Sequence, residues 1–283
     1  MRDSNWKRIF LCVLVGGVAF AQDGKPDVRS TFQSFLERHS ASAAGSLSDE
    51  SSVLGDRITA ASPEDIAKSL PLMIGAAVSG IDDVLTRYGV MGLLAVGLRP
   101  DGAALLKEYM PAIASLLDSH DAPTERVAVV IIGSVESRQR TPGARQALTA
   151  FLKRTDRDLR AQAGAISVLA KVAVDDDAVA AIDQFLARDL DSDTRVASLY
   201  GLTSPDLILH AKVIDRMITL LSDGDMAVKI TAIDSLTRIG PQALLLAEPV
   251  LTKLAEDAAS PEMLRSAAKT ALGKIGHTPA SPQ

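Results

Sequence analysis

The stretch that decides the fold is residues 225–240, which read DMAVKITAIDSLTRIG. The closing Gly240 suits the left-handed cap with which many helices end. A single helix of this kind cannot bury its apolar stripe alone, so it needs neighbours of the same kind. Four apolar residues fall at helical spacing and share one face: Val228, Ala232, Leu236 and Ile239.

Similar stretches recur along the chain, each with a basic residue near its start. Successive basic residues are 34, 35, 34 and 36 residues apart, a period that indicates a helical repeat array. A second amphipathic segment precedes each copy, and three of these segments contain a proline, which removes one hydrogen bond and bends a helix. The basic residues are Arg126, Arg160, Arg195, Lys229 and Arg265, and the prolines are Pro71, Pro111 and Pro249.

The combination of a Pro-x-hydrophobic-x-x-Leu helix, an Asp-rich turn and a helix with an early basic residue resembles the HEAT repeat. The likeness is to the short variety that is also found in phycobilin-lyase-like proteins, and it covers roughly residues 62–276. It implies an all-α, right-handed α-solenoid of about six HEAT-like helical hairpins. It also implies a ladder between repeats, formed by the basic residues and the acids four positions before them: Asp156, Asp191 and Asp225. Ala122 and Pro261 take the acidic position in the other two copies.

The array is predicted to occupy residues 62–277 as six pairs of helices. The glycines of the first pair, Gly89, Gly92 and Gly97, are expected to permit close helix contact. The predicted pairs are 62–79 with 82–97, 103–117 with 124–135, 144–153 with 158–172, 175–188 with 193–202, 206–221 with 225–239, and 242–257 with 261–275.

The N-terminus reads as an export signal over residues 1–21. Arg2, Lys7 and Arg8 precede the apolar run 9–20, and small residues favour cleavage after Ala21. The prediction is therefore an exported protein, periplasmic or secreted. The alternative is an uncleaved N-terminal anchor, although the run is shorter than the roughly 20 residues of a spanning helix.

Residues 22–61 are predicted to be a linker with a possible short helix at 28–38. The Ser-, Ala- and Gly-rich part, 40–52, is typical of a flexible connector. Phe32 and Phe35 could belong to a cap over the first repeat or to a segment that docks on a partner. Residues 278–283 are predicted to form a disordered tail.

Charge and composition narrow the function. The 283 residues carry a net charge of −5, which becomes −7 when residues 1–21 are removed. An acidic chain does not favour general nucleic-acid binding, so no nucleic-acid partner is predicted. No transmembrane segment is predicted after signal cleavage.

The sequence offers no catalytic constellation. A HEAT-repeat enzyme, deoxyhypusine hydroxylase, holds two irons with His-Glu pairs, but none of His39, His120, His210 and His277 is followed by glutamate. The single cysteine, Cys12, lies within the signal, and no Walker loop, dinucleotide fingerprint or Gly-x-Ser-x-Gly elbow occurs. No cofactor, metal or enzymatic activity is predicted.

The function predicted from these patterns is a non-enzymatic scaffold that binds a protein or peptide on the concave face of the solenoid. One alternative is a metal-dependent hydroxylase- or lyase-like enzyme on the same fold. Another is an accessory subunit whose linker, 22–61, inserts into a larger assembly. The predicted partner-binding residues are Gln162, Ser198, Thr231, Asp234, Arg238, Lys269 and Lys274.

Overall fold

The computed structural model describes residues 27–41, 47–79, 83–139, 142–171 and 175–275. The predicted signal at 1–21 and the tail at 278–283 lie outside these residues. The described chain is built of α-helices and short 3-10 turns, with no strand among those residues. It divides into two compact units, one up to Ala144 and one from Arg145 onwards.

The first unit contains three helical hairpins. Each hairpin has a first and a second helix, and helices of the same kind stack on one another: α1 on α3, and α2 on α4 on α7. The first hairpin is α1 (Val28–Ala41) with α2 (Leu47–Ala60), and the next is α3 (Pro63–Ser79) with α4 (Asp83–Leu98). The third comprises α5 (Gly102–Leu106) and α6 (Met110–Ser115), followed by α7 (Ala122–Gln139).

The second unit contains four hairpins of the same construction. Its second helices form the stack α9–α11–α13–α15, and its first helices include the stack α10–α12–α14. The hairpins are α8 (Pro142–Leu152) with α9 (Leu159–Lys171), α10 (Asp176–Leu186) with α11 (Ser192–Gly201), α12 (Ala211–Leu220) with α13 (Met226–Ile239), and α14 (Pro241–Glu256) with α15 (Glu262–Ile275). The all-α repeat fold and the six predicted hairpins are confirmed.

The predicted apolar stripe forms the core of α13. Val228, Ala232 and Leu236 are completely buried. Burial of each larger aliphatic side chain contributes roughly 1.5–3 kcal/mol. Gly240 ends the helix with a φ of 130°, a backbone conformation that glycine adopts at little cost.

The linker prediction is wrong for residues 47–60, which form the helix α2. Its side chains Leu54 and Ile58 are 1% and 0% exposed, and the helix packs against α4. Phe32 of α1 is likewise buried, and α1 packs against α3. The segment before the predicted array is therefore an additional hairpin stacked on it.

Two of the predicted first helices are interrupted. The predicted helix 103–117 is divided into α5 and α6 by a 3-10 turn at Lys107–Tyr109, and Pro111 stands in the first turn of α6. Proline has no N–H for the carbonyl four residues earlier, which favours the break. Pro71 and Pro249, in contrast, lie inside the continuous helices α3 and α14. The predicted helix 206–221 begins with a separate 3-10 segment, Pro205–Leu209.

Close approach of helices depends on glycine at a few positions, as predicted for α4. A Cβ on Gly89 would lie 2.3 Å from the backbone nitrogen of Ala77 in the partner helix α3. In the second unit, a Cβ on Gly201 would lie 2.7 Å from the Cα of Ser167. At these two points the helices touch backbone to backbone.

Candidate functional site

Aspartates at the N-termini of the second helices fix the register of the repeat. Asp191 Oδ1 accepts a hydrogen bond from the Thr194 backbone N–H at 2.8 Å, and Asp225 Oδ1 accepts one from Ala227 at 2.7 Å. Such caps satisfy donors that a helix leaves unpaired at its first turn. Equivalent contacts are made by Asp121 at the start of α7 and by Asp158 at the start of α9.

The basic residues that revealed the repeat do not occupy a single structural register. Arg126 is the fifth residue after its capping aspartate and Arg160 is the second. Arg195 and Lys229 are each the fourth residue after theirs. Equivalent positions in different hairpins are therefore numbered from the first residue of each second helix.

The predicted acidic ladder is present only in part. Asp156 does not cap α9, because Asp158 takes that place, and Asp156 Oδ1 instead lies 3.7 Å from Arg157 Nε. The ladder prediction is wrong for that residue. Arg195 contacts the next hairpin through Asp223, with 2.5 Å between Nη1 and Oδ2. Arg160 lies 3.8 Å from Asp193 of the next second helix.

Hydrogen bonds at the helix caps lower the pKa values of Asp191 and Asp225. The Val228 backbone N–H, the Ser192 side chain and the Ala227 N–H hold the pKa of Asp225 below its ordinary value, with a smaller contribution from Arg195. The backbone and side chain of Thr194 lower the pKa of Asp191, and Arg160 adds to the effect. Each capping aspartate therefore interacts electrostatically with an arginine of the preceding hairpin.

Gln162 is buried rather than exposed, which corrects its prediction as a partner-binding residue. Its Nε2 donates to the carbonyl oxygens of Phe151 and Arg154 at 2.7 and 2.9 Å, near the end of α8. Arg188 donates to Gln162 Oε1 at 3.1 Å and to the Leu152 carbonyl at 2.6 Å. Burial lowers the pKa of the Arg188 guanidinium. This polar cluster ties together consecutive hairpins.

Ser198 and Thr231 are also buried, so they too are corrected. Ser198 is 0% and Thr231 is 6% exposed. Their hydroxyls donate to backbone carbonyls four residues earlier in their own helices, Thr194 and Ala227, both at 2.7 Å. Short polar side chains inside a helix commonly satisfy themselves in this way. These two residues offer no polar group to a partner.

The other four predicted site residues lie on accessible surface. Arg238 Nε donates to Asp234 Oδ2 at 2.9 Å, and the two side chains are 58% and 44% exposed. Lys269 and Lys274 are exposed on α15. The packing of α13 against α15 places all four on adjacent helices.

One register position is at least partly exposed on every second helix of the second unit. The ninth residues of α9, α11, α13 and α15 are Ser167, Tyr200, Asp234 and Thr270. Tyr200 is 61% exposed and was not among the predicted site residues. It stands five residues after Arg195, as Asp234 does after Lys229, so the repeat register was sufficient to find it. The surface formed by Tyr200, Asp234, Arg238, Thr270 and Lys274 is here called the second-helix ridge.

The same register in the first unit carries apolar side chains. The ninth residues of α4 and α7 are Met91 and Val130, which are 41% and 48% exposed. A cleft of about 350 Å³ lies near the start of these helices, between Ala77 and Val78 on one side and Ser115 and Ser119 on the other. Its lining also includes Asp83, Arg87 and Asp121. These charges are mixed and select no single ligand.

The described residues contain no group of three or more His, Cys, Asp or Glu side chains arranged to hold a metal ion. His120 lies in the turn before α7 with a φ of 56°, and His210 precedes α12. His277 lies outside the described residues, as does the environment of the His39 side chain. None of the described helices is both long and apolar enough to cross a bilayer.

Comparison with known proteins gives likenesses of architecture. No protein-family model matches the chain, and no curated protein matches it. A HEAT-like repeat protein from the archaeon Thermococcus onnurineus is 17% identical, with a TM-score of 0.47 over 80% of this chain and 97% of that one.

Two non-natural proteins are similar to a comparable degree. A designed armadillo repeat protein, in complex with the peptide (KR)4, is 16% identical with a TM-score of 0.40, over 82% of this chain and 95% of that one. An engineered protein is 16% identical with a TM-score of 0.37, over 88% and 96% of the two chains. At these TM-scores the likenesses assign no function to the chain.

Proposed function

We propose that this chain is an exported HEAT-like repeat protein that acts as a non-enzymatic scaffold, holding a protein or peptide on the second-helix ridge. The observation that supports the proposal is the exposure of Tyr200 at 61% in a register shared with Asp234 and Thr270. Tyrosine and arginine are enriched among the residues that dominate binding energy at protein interfaces.

The side chains of the ridge are held in place before a partner binds. Its side chains stand on helices that pack directly on one another, so their spacing is held by the repeat core. The ion pair with Asp234 restrains the long side chain of Arg238 before any partner binds. Restraint of this kind lowers the entropy that must be lost on binding.

Site-specific photocrosslinking tests the proposal. A photoreactive tyrosine analogue at position 200 of the full chain is expected to capture one dominant protein in the source cells. The same analogue at Leu98, which is 65% exposed at the end of α4 in the first unit, is the matched control. Equal capture at both positions, or no capture at position 200, would contradict the proposed ridge.

Export is a separate part of the proposal and is supported by the pattern of residues 1–21. The basic start, the apolar run 9–20 and the small residues up to Ala21 have the arrangement of a secretory signal. Fractionation of cells expressing the full chain should recover a shortened protein outside the cytoplasm, whereas a chain starting at Gln22 should stay inside. Recovery of the uncleaved chain in the membrane would support the anchor alternative instead.

A further inference from the structure

We infer that the ridge in the second unit receives an acidic peptide segment, whose carboxylates pair with Arg238, Lys269 and Lys274. This inference names the partner chemistry of the surface proposed above and rests on that proposal. It comes from the distribution of charge along α13 and α15. Within 233–240 and 266–275, the C-terminal parts of these helices, three residues are basic and Asp234 is the one acid.

This local excess of positive charge stands on a chain whose net charge is −5. Two of the cations, Arg238 and Lys274, occupy the last turns of their helices, where a positive side chain also favours the helix dipole. Lys269 lies further back in α15, so the dipole does not account for it. Interaction with the helix dipoles therefore does not explain the whole excess of positive charge.

Lys269 differs in polarity from the residues at the equivalent position of the other second helices. It is the eighth residue of its helix, and the eighth residues of the other second helices in this unit are buried: Ile166, Leu199 and Ile233. No hairpin follows α15 among the described residues, so this position is exposed there. A lysine at an otherwise apolar position adds a cation beside the ridge.

The geometry of Arg238 suits a carboxylate. Its Nε is the atom that donates to Asp234, and the side chain remains 58% exposed. A guanidinium presents further N–H donors in a planar fork that matches the two oxygens of a carboxylate. Tyr200 has the register of Asp234, the residue with which Arg238 pairs, and its helix packs against α13.

Fluorescence anisotropy with a defined probe tests the inference. The probe is a labelled 12-residue peptide of alternating glutamate and glycine, added to the chain that starts at Gln22. We expect saturable binding that weakens as salt is raised from about 0.05 to 0.5 M. The triple variant R238E/K269E/K274E should bind about tenfold more weakly, the scale of three exposed ion pairs.

The matched control is K107E/K212E/K253E, which makes the same change in net charge at three exposed lysines elsewhere. It should bind like the unaltered chain, and both variants should retain the helical circular dichroism and melting temperature. Equal losses in the two variants, or tighter binding of the lysine–glycine counterpart, would overturn the inference. So would tighter binding of a single-stranded oligonucleotide of equal charge.

The two proposals can fail separately. If photocrosslinking at position 200 still captures its partner in the R238E/K269E/K274E variant, the scaffold stands and the acidic-segment inference falls. If capture is lost in R238E/K269E/K274E but retained in K107E/K212E/K253E, both proposals are supported. If position 200 captures nothing even in the unaltered chain, the scaffold proposal fails irrespective of the peptide result.

Discussion

The Arg138 guanidinium donates a hydrogen bond to the backbone carbonyl of Arg99 at 2.9 Å. Arg99 in turn donates to the carbonyls of Ile58 and Thr59 at the end of α2, and forms an ion pair with Asp101. Each arginine thus caps the C-terminal end of the preceding second helix, where carbonyl groups lack intrahelical partners and the dipole favours a cation. This chain of contacts runs along α2, α4 and α7.

Replacement of Arg99 by alanine should detach the N-terminal hairpin more than the rest of the first unit. The loss removes hydrogen bonds from a charged donor that is only 11% exposed, a cost of about 1.5–3 kcal/mol. Hydrogen exchange of the amides at 54–60 should accelerate, while that of α7 should change little. Arg87→Ala, at an exposed position on α4, is the control. Uniform acceleration in both helices would contradict a local role for Arg99.

Gly89→Ala should destabilise the first unit by about 2 kcal/mol or more, because the added methyl meets backbone rather than a movable side chain. Gly273→Ala on α15 is the matched control, since no atom lies within 4 Å of its added Cβ. In that helix, alanine should increase stability by up to about 1 kcal/mol. Thermal melting of the two variants should shift in opposite directions. A shift in the same direction would disprove the close contact of α3 and α4.

Gln162→Leu should cost about 2 kcal/mol or more, because it leaves buried carbonyls of α8 and the Arg188 guanidinium without their amide partner. Ser198→Ala, at an equally buried position, should cost less than about 1 kcal/mol, since its hydroxyl bonds only within its own helix. Urea denaturation measures both. Similar losses would show that the polar cluster contributes nothing beyond ordinary helix packing.

Stability should fall in acid through the capping aspartates. The pKa values of Asp191 and Asp225 lie below the ordinary 3.8 in the folded protein, so their stabilisation is present above that value and is lost as the pH falls through the lower, folded pKa. Melting temperatures measured between about pH 6 and pH 2.5 should decline less steeply in D191N/D225N, because asparagine caps a helix without titrating. An unchanged slope would assign the acid sensitivity to other carboxylates.

The sequence was sufficient to predict the paired helices because each depends on local features. The stripe of Val228, Ala232 and Leu236, the caps at Asp191 and Asp225, and the closing Gly240 all act within one helix or at its ends. Such signals are visible without knowledge of the neighbours. The predicted pairs agree with the structure except where Pro111 and Pro205 interrupt the first helices.

The helix α2 and the burial of Gln162 were harder to predict because both depend on neighbouring hairpins. Leu54 and Ile58 are spaced for one helical face, but serine and acidic residues surround them, so the segment appears flexible until its packing against α4 is known. Glutamine on a helix is usually solvated. Gln162 is buried because its amide reaches backbone carbonyl groups near the end of α8, a tertiary contact that periodicity does not report.

The exposed charge of Lys269 lies where a second copy of the chain could stack on α15. At the position where Leu199 and Ile233 are covered by protein, the last described second helix presents an ammonium group to water. A second molecule that stacked end-on against α15 would have to bury that charge without a partner. A repeat protein with an apolar final face could grow head-to-tail into open filaments. Among the described residues, the charge of Lys269 opposes such stacking on the face of α15.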